Sequence, residues 1–320
     1  MQRVRLYWQN GALGHAQHHK YDLPVTDSPS SNWKLGFRVK PDFFFLHYRK
    51  QLSATVFIVG LAALMFFFLT APLLAMLLRA LGDLSGRDAA TQALFGRSVI
   101  SAITLSLGTT AVSVSLILLL GTPLAYVLAR YHFPGKRLVN ILIELPIILP
   151  PVVAGFGLLM AFGRRGLFGP WLARVGLSLP FTTTAVIMAQ TFVAAPFFIR
   201  SAQVRFSAIP RDLVEAASID GASTATIFRY IAIPLSLPGL LAGLVLSWAR
   251  ALGEFGATML FAGSLQGRTQ TMPLLVYSAL ERNLNDALWS SLLLMVLALF
   301  TLWLVRWLTL HLETDPMIEA

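Results

Sequence analysis

The chain has 320 residues, 56% of them hydrophobic and only 12% charged, with a mean hydropathy of +0.68. Soluble domains carry about a quarter charged residues, so this balance excludes an ordinary soluble fold and points to helices in a bilayer. The net charge of +10 reads as basic residues flanking membrane segments rather than as a nucleic-acid surface, and the absence of cysteine excludes disulfides, thiolate chemistry and Cys-type zinc sites.

Residues 1–50 precede the first apolar run. They read as a cytoplasmic extension, expected to be largely disordered, with a Ser/Pro/Asp cluster, "TDSPSSN", and no sustained periodicity. Its "GHAQHHK" holds His15, His18 and His19. A metal site needs several ligands held in geometry, so solvated histidines are the simpler reading, and no metal or cofactor is expected. "PDFFFLHYRK" at 41–50 combines aromatics with basic residues, which suits an interfacial element leading into a span.

Hydropathy and length then place six spans near 52–78, 98–129, 139–162, 181–204, 235–262 and 287–310. They make a six-span domain over 51–311, followed by a cytoplasmic tail at 312–320. Pro123 suggests a kink or an interfacial end in the second span, and Pro146, Pro150 and Pro151 should kink or break the third. The basic residues set the orientation. With both termini inside, Lys20, Lys34, Lys40, Lys50 and Lys136 are all cytoplasmic, while Arg164, Arg165 and Arg268 fall on outer loops. Glu144, early in the third span, reads as an interfacial carboxylate close to Arg137.

Catalytic constellations are missing. The nearest approach to a phosphate-binding loop is "FPGKR", where Arg137 replaces the hydroxyl residue that would hold magnesium. No HExxH or GxSxG is present, and no nucleophile–base set can be assembled, so the chain reads as no enzyme.

The loop at 205–234 is the most informative segment. In "RDLVEAAS" (211–218), Asp212 and Glu215 stand early in a short helix, where carboxylates favour the positive end of the dipole. Gly221 is a natural left-handed terminus, and Ser223 or Thr224 would cap a second short helix. In that helix Ile227, Tyr230 and Ile231 would share a side, and Pro234 would end it before the fifth span. Glu215, Ala216, Ala217, Gly221, Ile231 and Pro234, so spaced, resemble the EAA motif of ABC-transporter permease subunits; Ile233 stands where leucine is usual. The resemblance covers roughly residues 95–310. It implies an all-α polytopic membrane protein with the type I importer permease (MetI-like) fold, set in the plasma (inner) membrane. It further implies a homodimer, two ABC ATPase subunits docking at this loop, and an extracytoplasmic binding protein. An amphipathic hairpin lying on membrane lipid is the plainer alternative.

Two further stretches bear on the substrate. "ELPIILPPVVAGFGLLMAFGRRGLFGPWL" (144–172) and "WARALGEFGATMLFAG" with "GRTQTMPLLVY" (248–277) are similar to molybdate-type permeases. The resemblance implies molybdate or tungstate, two tetrahedral dianions, delivered by a molybdate-binding protein. Sulfate or thiosulfate is the rival within the group, and a stand-alone channel or secondary transporter is the rival outside it. Arg250 and Glu254 lie within the fifth span at a spacing that lets them meet on one helix face. Charges at such depth line a path or an interface. Arg250, Gly253, Glu254, Gly256, Pro150 and Pro151 are therefore candidates for the translocation path, with an internal packing pair as the alternative for Arg250 and Glu254. Gly239 and Gly243 form a GxxxG in the same span.

Overall fold

The computed structural model describes residues 41–82 and 96–313. The chain divides into two units, residues 1–65 and 66–320. Of the first, only the start of helix α1 (Pro41–Gly82) is described, and that helix runs across the division. The "GHAQHHK" stretch and residues 314–320 lie outside the described residues.

The second unit continues with α2 (Arg97–Arg130), α3 (Lys136–Ile148), α4 (Pro151–Phe162), α5 (Gly169–Arg174) and α6 (Thr183–Ala208). Then come α7 (Arg211–Ile219), α8 (Thr224–Ile227), a π-helical turn (Phe228–Ala232), α9 (Ile233–Leu252), α10 (Gly256–Ala262), α11 (Met272–Leu280) and α12 (Leu284–Glu313). Among the described residues five helices are long and apolar enough to cross a membrane, and six if the bent pair α3 and α4 counts as one span.

Helix α6 is the centre, packed against α2, α3, α4, α9 and α10. Its fully buried Ala185, Ala189, Ala194 and Ala202 let neighbouring helices approach closely. Phe198 and Phe206 join Tyr126, Leu128 and Leu240 in one cluster, and Val186 and Val193 join Leu158 and Phe261 in another. A buried polar knot ties α6 to α2: Ser113 Oγ donates to Gln190 Oε1 at 3.1 Å, and Gln190 Nε2 donates to Thr110 Oγ1 at 3.4 Å. Such groups must be satisfied within the protein where no water reaches them.

Helices α6 and α9 run antiparallel, in a register set by two hydrogen bonds. Ser201 Oγ donates to the Gly239 carbonyl at 2.7 Å, and Ser247 Oγ to the Ala194 carbonyl at 3.0 Å. The GxxxG glycines serve this contact within one chain. A Cβ on Gly243 would stand 3.0 Å from Ser201 Cβ, and one on Gly239 would collide with the Arg205 stem.

The second span is one continuous helix through Pro123. The third is broken by 120°, as its prolines lead one to expect. Leu149 and Pro150 are extended because a residue before proline is driven out of the helical region, and the two prolines supply no backbone donors. The fifth run, expected as one span over 235–262, stops at Leu252 and restarts at Gly256. At its other end Pro234 stops nothing: residues Thr224–Leu252 form one helical path of 29 residues. The Ile233 amide bonds to the Phe228 carbonyl across the π turn, and this wider turn accommodates a proline in the first turn of α9.

Candidate functional site

Helix α7 carries Glu215, Ala216 and Ala217 and buries no residue fully; Glu215 and Ala216 are exposed and Ala217 half-buried. Its end is a complete Schellman motif. The Ala222 amide bonds to the Ala217 carbonyl at 2.9 Å, the Gly221 amide bonds to the Ser218 carbonyl at 3.1 Å, and Gly221 has φ +88°. Ser223 then caps α8, its Oγ accepting from the Thr226 amide at 3.2 Å.

The segment is anchored from inside. Phe228 packs against Tyr126, with ring centroids 4.8 Å apart, and Tyr126 meets Phe206 edge-on at 5.4 Å. Arg130 Nη1 donates to the Ile209 carbonyl at 3.0 Å. Two large side chains with apolar surface stay outside among the charged ones: Ile219 is 84% exposed and Tyr230 68%. The expected shared side of Ile227, Tyr230 and Ile231 does not form. Ile227 is buried, Ile231 half-buried and Tyr230 exposed under the Arg229 guanidinium, because the π turn shifts the register on which i, i+3, i+4 spacing depends.

At the other end of α9, Arg250 Nη1 lies 2.7 Å from Glu254 Oε2, and the Glu254 side chain is wholly buried. The pair forms as expected, though across the end of a helix rather than along one. Glu254 Oε1 accepts from the Ala257 amide at 2.8 Å, so the carboxylate also caps the first turn of α10. Oε2 makes an ion pair without hydrogen-bond alignment. The Arg250 side chain remains 27% exposed, which leaves part of its donor fork open.

The two helix breaks meet here. A Cβ on Gly256 would stand 2.8 Å from Pro151 Cβ, and one on Gly155 would stand 2.7 Å from the Ala257 carbonyl oxygen. Pro150 and Pro151 open α4, and Glu254 and Gly256 open α10, so the structure gathers these residues with Arg250 around one crossing. Gly253 faces elsewhere. With Leu73, Met76, Ala249 and Leu294 it lines an apolar cavity of about 340 Å³.

Residues 121–314 match the family described as "Binding-protein-dependent transport system inner membrane component". The chain belongs to that family. It is similar to the molybdenum transport system permease protein ModB of Mycobacterium tuberculosis, 46% identical over 198 residues covering 62% of this chain and 75% of the relative. It is also similar to ModB of Haemophilus influenzae, 42% identical over 217 residues covering 67% and 95%. Among solved structures, a bacterial ABC transporter that imports the acidic polysaccharide alginate shares the fold, with TM-score 0.67, 17% identity, and 83% and 98% of the two chains covered. The chain is thus a multi-pass inner-membrane permease subunit of an ABC importer, with the type I (MetI-like) fold.

The permease holds a second intramembrane pair that sequence reasoning missed. Arg200 Nη2 on α6 lies 2.5 Å from Glu144 Oε1 on α3. Glu144 thus takes its partner from another helix rather than Arg137. A signal was available: Glu144 lies eight residues inside the start of α3, and Arg200 eight residues before the end of α6. On antiparallel neighbours, equal counts from the same side mean equal depth.

On the opposite side of the permease, Arg164 Nε donates to Ser178 Oγ at 3.4 Å, and the Arg268 carbonyl accepts from Thr183 Oγ1 at 3.0 Å. On α11, between spans, the Glu281 carboxylate raises the pKa of the Tyr277 phenol, first by a hydrogen bond and then by its charge.

Proposed function

We propose that this permease imports molybdate or tungstate. It works as a homodimer with two ATPase subunits and an extracytoplasmic molybdate-binding protein, both termini being cytoplasmic. The observation that carries the substrate is the similarity to molybdenum permeases, at up to 46% identity. The exposed part of Arg250 supports it: a guanidinium offers a planar donor fork that suits a tetrahedral oxyanion. Glu254 holds that charge in place and offsets it, so that the anion is met without being trapped.

In this reading ATPase subunits dock over residues 205–234. Glu215, Ala216, Ala217 and Gly221 shape the contact, and Ile231 and Pro234 carry it into α9. The exposed apolar Ile219 and Tyr230 suit a surface covered by a partner. The path runs past Arg250, Glu254, Gly256, Pro150 and Pro151, with Gly253 at its edge.

The test is uptake of radiolabelled molybdate into vesicles that contain the permease, its ATPase and the binding protein. Uptake should require ATP, and tungstate should compete while sulfate should not. Efficient competition by sulfate would favour a sulfate permease. Uptake without any ATPase subunit would favour a channel or secondary transporter.

A further inference from the structure

The Arg200–Glu144 pair is part of a larger polar cluster. Arg200 Nη1 donates to Gln203 Oε1 at 3.2 Å. The Gln203 amide in turn donates to Asn140 Oδ1 at 3.3 Å and to the Leu128 carbonyl at 3.5 Å. Three helices, α2, α3 and α6, thereby hold one guanidinium. Two of its five donors are occupied, by Glu144 and Gln203, and the others are left over.

Depth and exposure separate this cluster from a packing pair. From the register of α6 on α9, Arg250 lies level with residues near 190–191 of α6, and Arg200 is about ten residues, or roughly 14 Å, further along toward residues 211–234. Both arginines are therefore inside the span. Arg200 is nevertheless 47% exposed and Glu144 34%. Charged side chains at that depth face water or protein, not acyl chains. The exposed side of α6 changes character at this level. It is apolar at Phe192, and from Arg200 through Arg205 and Ser207 toward the cytoplasmic loop polar side chains join it, with the exposed Val204 and the half-buried Gln203 between them.

We infer that Arg200, with Glu144 as its resident counter-ion, is a second anion-binding station, taking a tetrahedral oxyanion dianion after it leaves the level of Arg250. This rests on the oxyanion-permease reading. Glu144 neutralises Arg200 when the station is empty, so the site exerts little net pull. An arriving dianion competes with Glu144 for the guanidinium and uses its open donors. The Gln203 and Asn140 amides keep the fork from following the departing ion. Two compensated arginines at two depths let the anion move in steps, neither deep enough to hold it.

The chain has no cysteine, so a single introduced thiol reports its own surroundings. Val204→Cys, beside the cluster but outside it, keeps the pair intact. In the complete complex in vesicles, this thiol should react with a cationic, water-soluble methanethiosulfonate, and molybdate should slow the reaction. Phe67→Cys on α1 should not react. Separately, Arg200→Gln should lower molybdate uptake about ten-fold, the size of one lost charge-assisted contact, while ATPase stimulation by the loaded binding protein persists. Glu144→Gln should slow uptake and raise the amount of labelled molybdate retained by the complex. An unreactive Val204→Cys, labelling indifferent to molybdate and every other oxyanion, or wild-type uptake in Arg200→Gln would each overturn the station. If the wild type accumulates sulfate rather than molybdate, the parent reading fails, and protection of Val204→Cys by sulfate would still support the station.

Discussion

Gly256 lies against the ring of Pro151 with no room for a side chain: a Cβ there would come within 2.8 Å of Pro151 Cβ and 3.2 Å of the Val152 nitrogen. This contact joins the first turn of α10 to the first turn of α4. Gly256→Ala must push the two helix starts apart, at a cost of about 1–3 kcal/mol for overpacking. The expected outcome is a lower melting temperature of the solubilised complex. Gly253→Ala, where the nearest atom is 3.5 Å away, should leave it nearly unchanged.

Removing Arg250 leaves Glu254 buried without its counter-charge. Breaking a buried pair costs about 3–5 kcal/mol, so Arg250→Gln is expected to weaken the fold around α10 as well as transport. Arg250→Lys keeps the charge and loses the fork. It should preserve assembly, seen by size-exclusion chromatography, and still reduce uptake. A complex that assembles and transports normally with Arg250→Gln would rule out the path role.

At Gly221 the backbone has φ +88°. A side chain there costs about 1–2 kcal/mol, and a β-branched one should break the Schellman end altogether. Gly221→Val is expected to keep the spans folded while lowering ATP-driven uptake and ATPase association, measured by co-purification. Normal values of both would remove the coupling role from this turn.

Ser223 is a milder probe of the same segment. Losing its cap on the Thr226 amide costs about 1 kcal/mol. Ser223→Ala should partly reduce ATP-driven uptake, and Ser223→Asp, which restores an acceptor, should recover it.

Much of the fold was legible because a bilayer demands long apolar runs, and each of the six expected runs holds a helix. The Schellman glycine and the Ser223 cap were legible because their chemistry is local. The interruption at 253–255 was not, since Gly253 and Phe255 do not change the hydropathy of the run and only Glu254 hints at it. Arg200 was hidden by lying near the end of an apolar run, where a basic residue looks like a flank. Its partner depends on which helices pack together, and α3 meeting α6 is a tertiary fact. The π turn was hidden too, because five ordinary residues carry no mark of a wider ring.

That turn has a mechanical consequence. Because α8, the π turn and α9 form one path of 29 residues, Thr224 and Leu252 are the ends of a single helical path about 43 Å long. No coil separates loop from span, so a push on the loop is passed on through a hydrogen-bonded backbone rather than a loose linker. A tilt of a few degrees at its Thr224 end, taken about the Phe228–Tyr126 contact as pivot, would carry Arg250 sideways by some ångströms. The pivot's position near one end makes the arms unequal, so small strokes at the loop become larger ones at the ion pair.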